Sequence, residues 1–495
     1  MTVPRRSRPA LLSALLALAA LACGVGLWRA DLRAPEAMVY ESICRQLIAN
    51  STEGRQALIS SAWWPPLPVL VRLPLVGLLP AGRVPIASIA ISALAAALCV
   101  LLMAVLGRDW HLGRARALLV AGLLLNPGFL HHAVDGSSAT TTLVFVLLAA
   151  HTLTRWLASD SLRYMVTFGL CAALLLVTDF TMAPWLLVGV ALVVLLRRGR
   201  GDNAGERRAA LLLALLPAVY TLGLWVLMNW LIMGDGLYFL RSMFHAAAYD
   251  LHTAPTGLIT PVDIACAAFA LIVLLVAFFR HDAPGACLAA LAAAPLLLAF
   301  GLERVGLLWT RAPLLFVLHP LALVAFGTAW GDARIRRSRM PLSAWLLGVA
   351  LVAGPAAQGL LAPPPSPARH DDDRATYGEI ECAVATESPY ALVFVCGYEG
   401  YRLLGYDGGP LFKFALDFNF NKVRNDYRGH DLYLLVRAPT GRSAMDSIHW
   451  QYDNIYALGS RSTLYAGDWD DWRLFEIIQA PVERRPAATP ENPTP

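Results

Sequence analysis

Lysine is almost missing from this 495-residue chain: Lys413 and Lys422 are the only two. Charge of either sign is scarce as well. Charged residues make up 15% of the sequence, against roughly 25% in soluble globular chains. So little polar surface, with 57% hydrophobic residues, excludes an ordinary soluble enzyme, a disordered tail and a collagen-like chain. The net charge of +5 is small, and the arginines sit in short loops, so there is no footprint for nucleic acid. The eight cysteines are dispersed, which excludes a disulfide scaffold. Cys23, Cys99, Cys171, Cys266 and Cys287 lie inside apolar runs and are expected to pack there. Cys382 and Cys396 fall where a disulfide is permitted, although their spacing does not demonstrate one. No internal repeat is visible. Gly397-Tyr398-Glu399-Gly400 follows a strand-like run but lacks the glycine pattern of a nucleotide loop.

What the sequence does have is apolar blocks long enough to cross a bilayer. The first, Leu11–Trp28, follows Arg5, Arg6 and Arg8. A poor lipoprotein-like box at Ala20-Leu21-Ala22-Cys23 would make it a cleavable signal, but a retained helix is favoured because many spans follow. Further blocks are Val84–Leu106, Ala117–Val134, Ser138–Leu153, Tyr164–Thr178, Ala183–Leu196, Ala209–Met233, Ile264–Phe279, Ala286–Leu302, Ala312–Trp330 and Leu342–Leu361. The expected class is a polytopic α-helical membrane protein with about 11 transmembrane helices.

Arginine placement orients these spans. Alternate loops hold Arg108/Arg114/Arg116, Arg155/Arg163, Arg197/Arg198/Arg200/Arg207/Arg208, Arg280 and Arg334/Arg336/Arg337/Arg339, in phase with the basic N-terminus. The short loops on the other side, Asp135–Ser137 and Asp179–Met182, have no basic residue. By the positive-inside rule the N-terminus is expected in the cytoplasm, and an odd span count puts the C-terminus outside. This phase requires two short helices separated at Asp179 rather than one long helix.

The expected organisation is a transmembrane domain over 1–361, containing a large outer loop at 29–83. A stiff proline linker follows at 362–369, then an extramembrane α/β domain at 370–484 and a disordered tail at 485–495. Within that α/β domain, Ala391–Cys396, Leu432–Val436 and Leu474–Ile478 read as strands, and Tyr377–Thr386 and Ser443–Leu458 as helices.

Acids near membrane depth are costly and default to a functional role. Asp31, Glu36, Glu41, Asp135, Asp179, Asp235, Asp250 and Glu303 all fall on the outer side of the expected topology. Any one of them could simply end a helix, so the case for a site rests on Glu36 and Asp179 together. In the outer loop, Val39, Ile43 and Leu47 share one helical face while Glu41, Arg45 and Gln46 lie elsewhere, which suits an interfacial helix over Val39–Ala49. Trp63-Trp64-Pro65-Pro66-Leu67-Pro68 then leads into a second apolar stretch, Val69–Leu79.

The order of first span, Glu36 four residues before Tyr40, amphipathic helix to Leu47 and Trp63–Pro68 entry resembles the integral-membrane GT-C glycosyltransferases. The aminoarabinose transferases of lipid A and the protein O-mannosyltransferases are members of that family. Looser echoes are Asn126-Pro127 leading to Asp135-Gly136-Ser137-Ser138, Asn229 to Gly234-Asp235-Gly236 with Phe239, and Thr310-Arg311-Ala312-Pro313 with His319-Pro320. The likeness spans roughly residues 10–330. The family's acid is usually an aspartate in an acidic pair, whereas here Glu36 is followed by Ala37. That marks a divergent member and leaves Asp31 as a rival for the role.

The resemblance implies transfer of a sugar from a polyprenyl-phosphate donor to an unknown glycan, lipid or protein acceptor on the outer face, within surrounding membrane lipids. It implies a carboxylate base at Glu36, with Asp31 or Asp179 assisting. It also implies cations for the departing lipid phosphate, Arg311 first and Arg304 and Arg241 in reserve. Tyr40, Glu41, Asp135, Trp63 and Trp64 would line the substrate. No protein metal site is assigned and no cofactor is certain, which leaves room for a divalent cation. His131-His132, His245 and His252 lack ligand spacing. His370-Asp371-Asp372-Asp373 and Asp468-Trp469-Asp470-Asp471 read better as solvated turns than as cation sites. A chain rich in arginine and poor in lysine suggests a GC-rich bacterium, hence an inner membrane with a periplasmic C-terminal domain. Two alternatives stay open: a non-catalytic relative whose outer domain binds a glycan or protein partner, and a transporter.

Overall fold

The computed structural model describes residues 16–21, 23–25, 34–61, 64–109, 115–198, 204–241, 286–291, 294, 320, 323, 368–388, 390–396, 412–415, 418–440, 443 and 446–478. The expected spans Ile264–Phe279 and Leu342–Leu361, most of Ala286–Leu302 and Ala312–Trp330, linker residues 362–367 and the tail lie outside these residues, while Ala368 and Arg369, expected in the linker, begin a helix. The chain divides into two compact units, Met1–Ser366 and Pro367–Pro495.

In the first unit, three helices, α1 (Pro35–Ile48), α2 (Thr52–Ile59) and α3 (Pro66–Leu78), occupy the stretch between the first two expected spans. Proline at the first turn suits α1 and α3 because that position has no intrahelical N–H bond to lose. Ser51 caps α2 by accepting the Gly54 N–H at 3.0 Å. The sequence patterning foretells α1 and α3 but not the short α2. Glu41, expected on the polar face of α1, is in fact buried beside Val39, Tyr40 and Ile43. In α3 the usual amphipathic order is inverted. Pro68, Val69, Arg72 and Val76 are buried, while Leu70, Val71, Leu75 and Leu78 are exposed. An exposed apolar face over a buried cation suits a helix that lies against lipid.

The long helices follow: α4 (Pro85–Asp109), α5 (Ala115–Leu124), α6 (Pro127–Val134), α7 (Ala139–Ser159), α8 (Leu162–Thr178), α9 (Ala183–Arg198) and α10 (Ala204–Met233). Pro85–Asp109, Ala139–Ser159 and Arg208–Met233 are each long and apolar enough to cross a membrane. The 25 residues of α4 rise about 37 Å, against a hydrocarbon layer of about 30 Å. Along α10, Leu212, Leu216, Val219, Tyr220, Leu224, Trp230 and Leu231 are exposed, a lipid-facing stripe. This is a polytopic helical membrane protein.

One expected span is corrected. Ala117–Val134 is not continuous, because the chain breaks between α5 and α6. Pro127 cannot continue the α5 hydrogen-bond ladder, and Asn126 caps α6 by accepting the Gly128 and Phe129 N–H groups at 2.9 and 3.3 Å. The break at Asp179 is as the arginine phase requires, with extended backbone there and a 3-10 turn, Phe180–Met182, before α9.

The helix α8 packs on α7 and on α10. At Gly169 a Cβ would meet the Leu213 carbonyl oxygen at 2.5 Å, so the absence of a side chain is what permits this approach. Asp109, at the C-terminal end of α4, pairs with Arg155 of α7 at 2.7 Å, with Arg108 at 3.5 Å and His151 at 3.7 Å. Ser88, near the other end of α4, stands about 31 Å away along the helix axis. The two ends of this bundle thus carry separate polar clusters.

The second unit holds a five-stranded sheet in the order β2-β1-β3-β5-β4, with β1 Leu392–Cys396, β2 Phe412–Ala415, β3 Leu432–Arg437, β4 Thr463–Trp469 and β5 Trp472–Ile477. The strands β2, β1 and β3 are parallel; β5 and β4 continue antiparallel. Successive residues of β1 serve opposite cores: Phe394 packs with Phe418 and Leu434, Val393 and Val395 with Ile380 and Leu435. Burial on both faces explains the unbroken apolar run of β1. The helix Ala368–Glu387 takes in His370–Asp373, expected just ahead of it. Ser443–Leu458 is not one helix but two short ones, Ser447–Gln451 and Ile455–Leu458, split where Asn454 turns to φ +59°. Asp470-Asp471 form the tight turn of the β4–β5 hairpin, with Asp470 at φ +48°. Cys382 is exposed and Cys396 buried, and they do not form a disulfide.

His449 lies 6% exposed in this unit. Burial pushes its imidazole down to about 4, against the opposing effect of a hydrogen bond with the Arg437 backbone. The ring is therefore neutral when folded, while the unfolded chain takes up a proton below about pH 6.5. Stability of this unit is expected to fall by roughly 3 kcal/mol as pH drops from about 6.5 to about 4. Denaturant titrations of the full chain across that range, followed by tryptophan fluorescence, check this. His449→Gln should remove that part of the pH dependence.

Candidate active site

Where α1 begins, its backbone is tied to the turn between α6 and α7. The Ala34 N–H donates to the Asp135 carbonyl at 3.1 Å. This places Glu36, in the first turn of α1, against the N-terminal end of α7, where the Ser138 hydroxyl donates to Glu36 Oε1. Glu36 is half-buried. A carboxylate there benefits from the unpaired N–H groups at the start of its own helix.

The turn itself is held from within. Asp135 Oδ1 accepts the Ser137 N–H at 2.8 Å, and Oδ2 lies 2.8 Å from His132 Nδ1. His132 Nδ1 is also 3.2 Å from Ser137 Oγ, and His131 Nε2 is 3.7 Å from Asp135 Oδ2. Burial alone would raise the Asp135 carboxyl. The hydrogen bond and charge of His132, with the Ser137 N–H, outweigh it and hold the group below the ordinary carboxylate range. Gly136 has φ +79°, and a Cβ on it would sit 3.2 Å from the Cβ atoms of Ala37 and Ser88. Only glycine both adopts that backbone freely and leaves that space.

From the other side the turn is gripped by Arg72 of α3, which is 1% exposed. Its guanidinium donates to the Gly136 carbonyl at 2.7 Å, to the Pro68 carbonyl at 2.8 Å and to Ser88 Oγ at 3.2 Å. It lies over the Tyr40 ring at 4.8 Å, and Tyr40 meets Trp64 edge-on at 5.8 Å. Among the described residues no carboxylate forms an ion pair with Arg72. Ser92 Oγ donates to the Ala133 carbonyl at 3.3 Å, and Thr140 Oγ1 donates to the Ser92 carbonyl at 3.2 Å, binding α4 to α6 and α7.

Of the residues singled out from sequence, Glu36, Tyr40, Trp64 and Asp135 are brought together at one end of the bundle. Asp179 ends α8, on which α3 rests. Next to it Phe180 meets Trp225 and Phe239, which stack at 4.4 Å. Trp225 and Asn229 both donate to the Ile59 carbonyl, at 2.9 and 3.0 Å, so α2 is anchored on α10. Arg241 pairs with Asp235 at 2.6 Å, with its side chain half exposed. Asp31, Trp63, Arg304 and Arg311 lie outside the described residues, as do His245 and His252. Among the described residues no group of three or more His, Cys, Asp and Glu side chains is placed to hold a metal ion.

Three contributors were given no role in the site from sequence. Arg72 is the sole charge in Pro66–Leu78 and was hidden by reading that stretch as apolar. His132 carries a usable signal, since His132 and Asp135 are three apart and meet at the end of one helix. Ser138 follows Asp135 in a motif that sequence could name but not aim.

No family model matches the chain, and no curated protein matches it. Among solved structures it is similar to ArnT from Cupriavidus metallidurans bound to undecaprenyl phosphate, with 14% sequence identity and a TM-score of 0.40 over 95% of this chain and 98% of that one. It is similar to ArnT of the same organism in the apo state, with 15% identity and a TM-score of 0.39 over 93% and 98% of the two chains.

Gly136→Ala is expected to destabilise the first unit by about 1–2 kcal/mol from backbone strain alone, with a further loss where the new methyl meets Ala37 and Ser88. Arg72→Lys keeps the charge but loses the planar fork, and should cost about 1–3 kcal/mol through carbonyls left without a donor. Thermal unfolding in detergent checks both. Equal melting temperatures for the variants and the unaltered chain would contradict the interlock.

Proposed function

We propose that this chain is a membrane glycosyltransferase that moves a sugar from a polyprenyl-phosphate donor to an acceptor at the outer, periplasmic face of a bacterial inner membrane. The observation that carries this reading is the carboxylate of Glu36, held by Ser138 at one end of a transmembrane bundle, beside α3, whose Leu70, Val71, Leu75 and Leu78 are exposed. Of the residues by which the sequence resembles GT-C enzymes, Ser138 donates to this carboxylate, the Asp135 carbonyl takes the Ala34 N–H just before it, and Tyr40 lies under Arg72 and meets Trp64 beside the same turn.

The chemistry follows from the groups present. As the acceptor hydroxyl or amine attacks the sugar carbon, its proton passes to Glu36. The bond from that carbon to the phosphate oxygen breaks, and the electron pair leaves with the lipid phosphate. Stabilising that charge is the task of guanidinium groups, for which Arg311 first and Arg304 in reserve remain the candidates from sequence. Asp31 and Asp179 stand as rival or assisting carboxylates. Arg241 is the weaker candidate, being already paired with Asp235. The location also favours an enzyme over a transporter. The carboxylate meets the end of α7 rather than the bilayer midplane, where a transporter would place its site.

The test is release of polyprenyl phosphate by the purified chain in detergent, from a panel of polyprenyl-phosphate sugars and acceptors. Glu36→Gln should lower turnover by about 100-fold or more. Turnover retained in Glu36→Gln would pass the base to Asp31 or Asp179. No turnover with any donor, in protein shown to be folded, would contradict the reading and favour a binding protein.

A further inference from the structure

The chemistry above leaves Asn229 unused, although it is fully buried near the C-terminal end of α10. An amide there is costly unless its hydrogen bonds are met within the protein. Its Nδ2 donates to the Trp225 carbonyl one turn back, at 3.0 Å, and to the Ile59 carbonyl of α2, also at 3.0 Å. Two donated bonds from that nitrogen fix which way the amide points. The Trp225 indole N–H joins it on the Ile59 carbonyl at 2.9 Å. Ile59 ends α2, so its carbonyl has no N–H of its own helix to bind. Two donors one turn apart on α10 take that place.

The other end of α2 is joined closely to α1. Only Ala49, Asn50 and Ser51 separate the two helices, and Asn50 makes the reversal at φ +57°. The Ser51 N–H donates back to the Gln46 carbonyl at 3.0 Å, and Arg55 of α2 donates to the Asn50 side chain. At Gly54 a Cβ would stand 2.7 Å from the Gln46 carbonyl carbon and 2.8 Å from the Leu47 nitrogen. The two helix backbones therefore touch, and α1 and α2 form one bracket. One end of it carries Glu36, bonded to Ser138; the other is the Ile59 carbonyl on α10.

We propose that Asn229 is a positioning residue for Glu36: by gripping the Ile59 carbonyl it anchors the bracket at its far end and fixes how α1 presents the carboxylate. The consequence for catalysis rests on the glycosyltransferase reading; the anchoring does not. Hydrogen bonds at Ala34 and Glu36 hold the first turn of α1. Gln46, where Gly54 meets α1, lies about 15 Å further along the axis. A helix held at both places keeps its direction, and a displacement of about 1 Å at a reacting group can cost about 100-fold in rate.

Two measurements on the full chain in detergent test this. Asn229→Asp keeps the size of the side chain but sets a carboxylate oxygen where the donor faced the Ile59 carbonyl. Gly54→Ala leaves the anchor intact and wedges a methyl between the two backbones. Trp225→Phe keeps an aromatic ring against Phe239 and removes only the second donor. The first two should each lower kcat for sugar transfer by about 10-fold or more, with the donor KM within about twofold of the unaltered chain. Trp225→Phe should lose less. Asn229→Asp with Gly54→Ala should lose less than the product of the two, because both act through α2. An unchanged kcat in Asn229→Asp, with or without a raised KM, would overturn the proposal, and so would losses that simply multiply. The second measurement, hydrogen–deuterium exchange, needs no activity. In Asn229→Asp the amides of α1 should exchange about tenfold faster or more, while those of α4 and α7 keep their protection. Loosening confined to α2 would overturn the proposal. Loosening spread through α4 and α7 would mean a general structural role and would overturn it too. If the unaltered chain transfers no sugar, the glycosyltransferase reading fails, and exchange in α1 still decides the anchoring.

Discussion

A guanidinium buried in a membrane protein has to find its hydrogen bonds inside the protein, and Arg72 finds them in three places. It binds its own helix at Pro68, the start of α4 at Ser88, and the Asp135–Ser138 turn at Gly136. Losing any of these would strand a donor away from water, at a cost of about 1–3 kcal/mol. The rest of the site depends on this constraint. With the turn fixed, the Asp135 carbonyl receives the first N–H at α1, and Ser138 meets Glu36. Arg72 thereby locks α3 to the bundle, alongside the bonds that tie α1 to the turn and α2 to α10.

The same residue explains the inverted face of α3. In water an amphipathic helix buries leucine and exposes arginine; here Leu70, Val71, Leu75 and Leu78 face outward and Arg72 faces in. Lipid takes the leucines, and the protein must supply polar partners for the arginine, which it does with backbone carbonyls and a serine. A cation placed this way is a structural tie, satisfied among the described residues by carbonyl dipoles and a hydroxyl rather than by a carboxylate.

Much of this was legible in the residues. Blocks of apolar sequence mark α4, α7 and α10, the arginine phase demands the break at Asp179, and alternating or unbroken apolar runs mark β1, β3 and β5. Glu36 stands out as an acid in a large apolar outer loop, and Tyr40 through the residue order the sequence shares with GT-C enzymes. Other parts were not legible, for physical reasons. The Asn126-Pro127 break sits inside a run apolar enough on average to read as one span, and only the backbone chemistry of that pair ends α5. The β4 edge strand, with Leu464 and Tyr465 exposed, lacks the burial pattern that identifies its neighbours. Arg72 looked like one charge in an apolar stretch, because nothing local tells a buried arginine from one that reaches to the interface. Its partners lie 16 and 64 residues away in sequence.

The central claim is that Arg72 and Glu36 belong to one interlocked unit, although they do not touch. A double-mutant cycle on unfolding free energy in detergent, using Arg72→Met, Glu36→Gln and the pair, tests it most directly. The account predicts non-additivity of about 0.5–3 kcal/mol, since a turn released by loss of Arg72 no longer holds Ser138 against Glu36. Effects that add to within about 0.5 kcal/mol would contradict it, leaving Glu36 seated independently of the buried arginine.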